Sequence, residues 1–383
     1  MHAATLGPAA ISPAAAPRRL RIGIDAHAVG QRQTGNERFA ANMIRALREI
    51  CDHQLVLYFT EPAAAAEFAT LPDTRTRLLR PRHPLLRIPF GLPLLATHDD
   101  VDVLFVQYAG PPVFGRPLVT IVHDAAFELL PQHFRPLERL WMPRAIPFTM
   151  RRASRIVTVS DFSRDELVRV FGIEPAKITV AHNGVAPIFR DQSPRPSSEQ
   201  PPYFVSVGNL QPRKNLQTLL AAYARALELR PQTAERLVIV GQDAYAAGEI
   251  RGRAEELCRR GRVVFTGYVS DPQLVGLLQG ATAFAYPSVY EGFGLPPVEA
   301  MAAGVPSVVS DIPVMREIVG DAALRVSPLD VEGWAQALLR LAEEPALRAR
   351  LSAEGRQRAS AYTWEKSARA VLSALESSAR VRA

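Results

Sequence analysis

Short apolar runs alternate with amphipathic runs along this whole chain, and one polar, proline-rich segment cuts the alternation in two. Before the segment, residues 21–26, 55–59, 101–106, 118–122, 156–160 and 178–181 read as buried strands. Residues 36–50 and 161–171 read as helices between them, and Ser163 and Glu166 have capping-box spacing near the start of the second. After the segment the pattern restarts at 203–207, 237–240, 263–266, 283–286, 307–310 and 324–326. Helices are expected at 215–229 and 272–278, with Asp271-Pro272 as N-cap and first-turn pair. Strands that are apolar on both faces and alternate with helices predict parallel sheets covered on both sides. The expected class is α/β, with two doubly wound parallel-sheet domains facing a central cleft. Ligands bind such sheets outside the carboxyl ends of the strands, so the cleft is the expected site. The layout is an extension at 1–18, a first domain at 19–190, a linker at 191–202, a second domain at 203–361 and a terminal helix, about 364–376, within 362–383.

The length of 383 residues, 48% of them hydrophobic, suits two cores. The two cysteines, Cys51 and Cys258, lie far apart and show no metal-ligand spacing, which fits a reduced, cytoplasmic protein. No run of 18 apolar residues exists, so no membrane span is expected. Residues 1–17 are rich in Ala and Pro, lack the basic start of a secretory signal and read as a disordered extension. The net charge of +7 is unevenly placed, with 23 basic and 17 acidic residues in 1–190 against 22 and 21 in 191–383. Arg75, Arg77, Arg80, Arg82 and Arg87 form one basic cluster, and Arg135, Arg139, Arg144, Arg151, Arg152 and Arg155 another. No nucleic-acid motif accompanies them, and nucleic acid is not an expected partner. Leu85, Leu86, Ile88, Phe90, Leu92, Leu94, Trp141 and Phe148 are interleaved with the arginines. That mixture suits peripheral contact with an anionic membrane; the alternative is an ordinary basic surface over a core.

The densest chemical signal is Glu291-Gly-Phe-Gly-Leu-Pro-Pro-Val-Glu299, at the exit of a buried strand. Its prolines suit a first helical turn, and its glycines, Gly292 and Gly294, admit a ligand close to the backbone. A helix N-terminus offers free N–H groups and partial positive charge, which favours phosphate. One acid stands before this anion site, and Glu299 is expected inside the first helical turn. Carboxylates accept hydrogen bonds from hydroxyls. The string therefore suits a ligand with a diphosphate at its middle and hydroxylated rings at both ends, a sugar nucleotide.

Other segments point at the same cleft. Gly30-Gln-Arg-Gln-Thr-Gly35-Asn-Glu37 lies between the first strand and first helix, where Gly35 permits close backbone approach; it is not G-x-G-x-x-G. His123-Asp124 ends a strand and faces the cleft in such a fold. Gly208-Asn209 and Arg213-Lys214 follow the first strand of the second domain, and two cations at the start of a helix are electrostatically unusual unless they meet an anion. Gly267-Tyr-Val269-Ser-Asp271 follows another strand. Asp100-Val-Asp102 matches D-x-D but precedes its strand, the wrong end for a ligand, and no His or Cys spacing suggests zinc. No metal site and no cofactor is expected.

The Glu-x7-Glu string, the glycine loop, His123 and the Arg213-Lys214 pair together resemble the retaining glycosyltransferases of family 4, over residues 21 to about 376. The resemblance is nearest to their bacterial mannosyltransferase-type branch, which builds surface polysaccharides. It implies the GT-B fold, two Rossmann-like domains with a final helix that crosses back to the first. It implies a nucleoside diphosphate sugar donor and a glycan or lipid-linked acceptor. Glu299 would then bind the ribose, Glu291 the donor sugar, and the backbone of Gly292, Phe293, Gly294 and Leu295 the sugar and phosphates. Lys214 would stabilise the leaving diphosphate, His123 would lie near the transferred sugar, and Val269 would hold the base through its backbone. Asn209 stands where many members carry an arginine, so that diphosphate contact is expected to be either weaker or supplied by Arg213. GDP-mannose is the expected donor and UDP-glucose the alternative. Another GT-B enzyme, such as an epimerase or phosphorylase, and a non-catalytic scaffold stay open.

Overall fold

The structure is a computed structural model that describes residues 18–31, 34–191, 201–244 and 247–380. The expected extension, apart from Arg18, and most of the expected linker lie outside those residues. The first sheet contains β1 (Arg21–Asp25), β2 (Gln54–Phe59), β3 (Thr74–Leu78), β4 (Val103–Gln107), β5 (Leu118–Ile121), β6 (Arg155–Thr158) and β7 (Ile178–Val180), in the order β3-β2-β1-β4-β5-β6-β7. The second contains β8 (Tyr203–Val207), β9 (Arg236–Val240), β10 (Val263–Gly267), β11 (Ala283–Tyr286), β12 (Ser307–Ser310) and β13 (Leu324–Val326), in the order β10-β9-β8-β11-β12-β13. Every pairing is parallel. Strand order reverses at β1/β4 in one sheet and at β8/β11 in the other, and these switch points are where open α/β sheets take ligands. Two Rossmann-like domains therefore face each other in the GT-B arrangement.

The central strands form because Val, Ile, Leu and Phe runs can be buried on both faces; β4 and β5 are buried at every position. β3 is the strand that the apolar pattern does not reveal. Its sequence, Thr-Arg-Thr-Arg-Leu, sits at the sheet edge with mixed exposure, and charge is tolerated there because an edge strand meets water.

The Trp364–Arg380 helix returns to the first domain and runs four residues beyond the expected end. Trp364, Ala368, Val371 and Leu375 recur at helical spacing on its buried face. That face packs on the Thr34–Ile50 helix and on β4, β5, β6 and β7. Each large apolar side chain so buried contributes about 2 kcal/mol, which fastens the end of the chain to the domain where it began.

Local chemistry corrects several expectations. The cap of the Asp161–Phe171 helix is Ser160, whose hydroxyl accepts from the Ser163 N–H at 2.9 Å, and Ser163 itself turns inward. Ser270, not Asp271, caps the Asp271–Gln279 helix, with the Gln273 side chain accepting from its N–H at 2.9 Å. Lys214 ends a short 3-10 turn, Pro212–Lys214, and the left-handed Asn215 separates it from the Leu216–Leu229 helix. The first arginine cluster is largely neutralised from within. Arg75 and Arg77 pair with Asp99, Arg82 with Glu61, and the buried Arg87 with Asp25. Leu92 is also buried and Ile88 packs inward, so neither belongs to an apolar surface. Asp102 accepts from the Arg21 N–H and from Arg18, both at 2.8 Å, as a structural group before β4.

Candidate active site

Glu291 lies between the end of β11 and the Leu295–Ala302 helix, and its carboxylate is the hub of the cleft. Oε1 accepts from the Lys214 ammonium at 2.6 Å, the Ser288 hydroxyl at 2.5 Å and the Tyr286 hydroxyl at 2.9 Å. Oε2 accepts from Arg213 at 3.3 Å. Burial pushes the Glu291 pKa up, but Arg213, Lys214 and their hydrogen bonds outweigh it and hold the group at about 2. Burial pushes the Lys214 ammonium below its ordinary value against the pull of Glu291. At 2.6 Å from a carboxylate it remains the charged partner near neutral pH. Gly208 makes room for its stem, because a Cβ there would lie 3.3 Å from Lys214 Cδ and Cε.

Arg213 extends this network across the cleft. Its Nη1 donates to the Tyr290 carbonyl at 3.1 Å and lies 3.6 Å from Asp124 on the first domain. Burial raises the Asp124 pKa, with Arg213 opposing it. The neighbouring His123 is buried between Phe39 and Tyr108, with ring centroids at 4.8 and 5.4 Å. Burial lowers its pKa to about 4, so the ring is neutral at pH 7. Asn209 Oδ1, at the position next to Gly208, has no hydrogen-bond partner among the described residues.

The segment after Glu291 is shaped by close approach. A Cβ on Gly292 would lie 2.2 Å from the His123 carbonyl oxygen. The Gly292 carbonyl accepts from Ser160 at 2.5 Å and Ser163 at 3.0 Å, both on the first domain. Phe293 is buried against Tyr362. Gly294 is left-handed, with φ 90°, and precedes Leu295, the first helical residue. Glu299 is not in the first turn as expected; it is the fifth residue of this helix, one turn further in, and is buried. Burial drives its pKa up to about 7, with Arg38 pulling down and Asp271 pushing up. Val269 precedes Ser270 and Asp271, so its backbone borders this end of the cleft. Gly35 belongs to the first turn of the Thr34–Ile50 helix rather than to a loop, and open space surrounds its α-carbon.

The structure thus brings His123, Asp124, Arg213, Lys214, Glu291 and Gly292 into one cluster and sets Glu299 and the Val269 turn beside it. The sequence reading did not find Tyr286, Ser288, Ser160, Arg38 or Glu317. Glu317, on the Pro313–Val319 helix, accepts from the Asp161 and Phe162 N–H groups at 2.9 and 2.8 Å, so one domain caps a helix of the other. Ligand atoms of Asp161, His182 and Glu317 lie within 4.8 Å of one another, but the two Glu317 oxygens are committed to those N–H groups and Asp161 to Arg164 at 2.6 Å. A hollow of about 440 Å³ lined by Pro202, Thr282 and Pro306 lies at the opposite, amino ends of the second domain's strands. It is remote from this chemistry.

The chain matches the family description "Glycosyltransferase Family 4" over residues 34–187 and "Glycosyl transferases group 1" over residues 188–358. It is 32% identical over 259 residues to O-antigen chain mannosyltransferase B of Escherichia coli, covering 64% of this chain and 67% of that one. It is 26% identical over 330 residues to O-antigen chain mannosyltransferase RfbU of Salmonella typhimurium, covering 83% and 90%. Among solved structures it is similar to sucrose-phosphate synthase from Thermosynechococcus elongatus, with a TM-score of 0.75, 21% identity and coverage of 93% and 98%.

Proposed function

Because the chain belongs to the family 4 glycosyltransferases of the GT-B fold, we propose that it moves mannose from GDP-mannose to a hydroxyl of a glycan or lipid-linked acceptor in surface polysaccharide synthesis, with retention of anomeric configuration. The observation that carries this reading is the paired cation site, Lys214 and Arg213, converging on Glu291 at the mouth of a helix N-terminus. Two half-buried cations ahead of a helix N-terminus suit a diphosphate, whose charge grows as the sugar departs. Such preorganised donors stabilise developing charge without reorganisation. UDP-glucose is the competing donor, because base contacts through the Val269 turn would be made by backbone. Mannose is favoured because both O-antigen relatives are named as mannosyltransferases.

In this reading Glu299 binds the ribose diol. Glu291, held ionised, accepts from hydroxyls of the donor sugar, and the backbone of residues 292–295 orients sugar and phosphates. Lys214 turns from Glu291 toward the diphosphate as the donor enters. His123, neutral at pH 7, donates or accepts a hydrogen bond to the sugar rather than supplying charge. The sugar leaves its phosphate and is captured by the acceptor on the same face, and the leaving phosphate oxygen takes the acceptor proton. A covalent glycosyl-enzyme trapped on wild-type protein would refute that step.

The acceptor side is proposed to rest on an anionic membrane. No described helix is long and apolar enough to cross one. The Pro136–Arg152 helix exposes Leu137, Leu140 and Phe148 beside the exposed Arg139, Arg144, Arg151 and Arg152. Leu85, Leu86, Phe90 and Leu94 are exposed nearby in sequence to Ile88, which shares a core cluster with Trp141 of that helix. Flotation with anionic but not neutral vesicles is the expected outcome, and equal flotation with neither would remove this part of the proposal.

Calorimetric titration with a panel of sugar nucleotides, with and without EDTA, tests the main reading. Selective GDP-mannose binding unaffected by EDTA supports it. Selective UDP-sugar binding replaces the donor and keeps the mechanism, and binding of none by folded protein refutes it.

A further inference from the structure

We propose that Arg38, on the first domain, is a positioning residue of the nucleotide site in the second domain: it reaches across the cleft and holds the Glu299 carboxylate in place for the ribose. The inference rests on the reading of Glu299 as the ribose acceptor. Arg38 lies in the Thr34–Ile50 helix. One guanidinium nitrogen donates to Glu299 Oε1 and another to Asp271 Oδ1 at the start of the Asp271–Gln279 helix. The guanidinium also lies 5.6 Å from the centre of the Phe189 ring, on the segment leading from the first domain. A planar fork fixed on two carboxylates and an aromatic face has a defined orientation, which a lysine would not reproduce.

The Glu299 carboxylate keeps acceptor capacity for the ribose. A carboxylate offers about four lone-pair sites, and Arg38 takes one on Oε1. The remaining sites suit a vicinal diol. Arg38 also answers a problem that the helix creates for Glu299. The residue is only 3% exposed, and burial favours its neutral form, which would be a poor partner for two hydroxyl donors. With Arg38 in place the group titrates at about 7. The other charged or titratable groups facing it are Asp271, which opposes ionisation, and the Tyr286 phenol. On the remaining packed elements, Arg190 donates to the carbonyls of Ala359 and Tyr362, Arg358 to those of Glu317 and Ile318, Arg316 pairs with Asp311, and Glu317 caps the Asp161–Phe171 helix. Among the described residues Arg38 is thus the cation that favours the charged form of this carboxylate, and it comes from the domain that carries no nucleotide group of its own in this reading. Closure of the cleft and readiness of the ribose site become one event.

The test is calorimetric titration with GDP-mannose and, in parallel, UDP-glucose at pH 6, 7 and 9, on wild type, Arg38→Gln, Arg38→Lys and Glu299→Gln. At an apparent pKa of about 7, roughly half of Glu299 is ionised at pH 7, so wild-type affinity rises about tenfold from pH 6 to 9. Losing Arg38 raises that pKa by a unit or more, which leaves about a tenth ionised at pH 7 and weakens binding about fivefold. The deficit shrinks to under about twofold at pH 9, where either protein is ionised. Arg38→Lys keeps the charge and falls between. A loss in Arg38→Gln that is equal at every pH would mean a purely structural role and overturns the proposal, as does wild-type binding by Arg38→Gln while Glu299→Gln is impaired. If Glu299→Gln binds like wild type, or wild type binds neither probe, the reading of Glu299 fails first and the proposal with it. Thermal unfolding of each variant separates these outcomes from misfolding.

Discussion

Gly292→Ala is the perturbation that most directly tests whether the closed cleft is the working form. The added Cβ would lie 2.2 Å from the His123 carbonyl oxygen and 3.0 Å from Asp124 Cβ. A comfortable C···O approach is about 3.3 Å, so the two domains must part by roughly 1 Å at this point. The neighbour is backbone and cannot swing aside. The Gly292 carbonyl sits 2.5 Å from the Ser160 hydroxyl and 3.0 Å from the Ser163 hydroxyl, and such a retreat breaks or strains both bonds. At about 1 kcal/mol each, their loss disfavours closure by about 2 kcal/mol, or roughly thirtyfold in population. Reaction only from the closed form makes kcat/KM fall by at least that factor, and misplacement of reacting groups by 1 Å can take the loss to about a hundredfold. Gly292 is outside the left-handed region, so alanine brings no backbone strain, and each domain should fold as before. Initial rates of sugar transfer, small-angle scattering with donor present and a thermal melt measure the three consequences. A variant with kcat/KM within about threefold of wild type would refute the reasoning, because it would show that this contact is not made during turnover.

Lys214→Ala should lower kcat by about a hundredfold or more, with a smaller change in donor affinity, and near-normal turnover would remove the diphosphate role from this lysine. Glu291→Gln leaves the half-buried Lys214 and Arg213 without their shared carboxylate and should destabilise the protein by about 3 kcal/mol in urea unfolding, besides stopping transfer. The Glu291 pKa is depressed to about 2 from an ordinary 4.5, so its contribution to stability is fully present above pH 4.5 and lost as pH falls through 2. Wild type should therefore lose urea resistance more steeply than Glu291→Gln over that window, and parallel curves would contradict the assignment. Glu317→Gln weakens the cap that one domain places on the other's helix, for which about 1 kcal/mol is expected, read as a lower thermal midpoint with donor-site residues intact.

Much of this architecture is legible in the sequence because parallel strands advertise themselves. Twelve of the thirteen described strands are apolar runs, and the one missed, β3, owes its place to pairing with β2 rather than to its own composition. The donor-side groups were legible for a related reason. Glycines, prolines and acids at the exits of strands are local signals, and the residues from Gly208 to Lys214 and from Glu291 to Glu299 each lie within one short segment. The closing contacts carry no such signal. Arg38 and Glu317 are ordinary helix residues by type and Ser160 an ordinary helix cap, and each acquires its meaning from a partner more than a hundred residues away. Even the error over Glu299 follows from this. Counting from the prolines puts it in the first turn, where free N–H groups would keep it charged. The helix starts at Leu295, so Glu299 sits beyond those groups and depends on a cation from the other domain. A carboxylate whose charge is supplied across a cleft is informed of the state of that cleft, which a carboxylate in the first turn would not be.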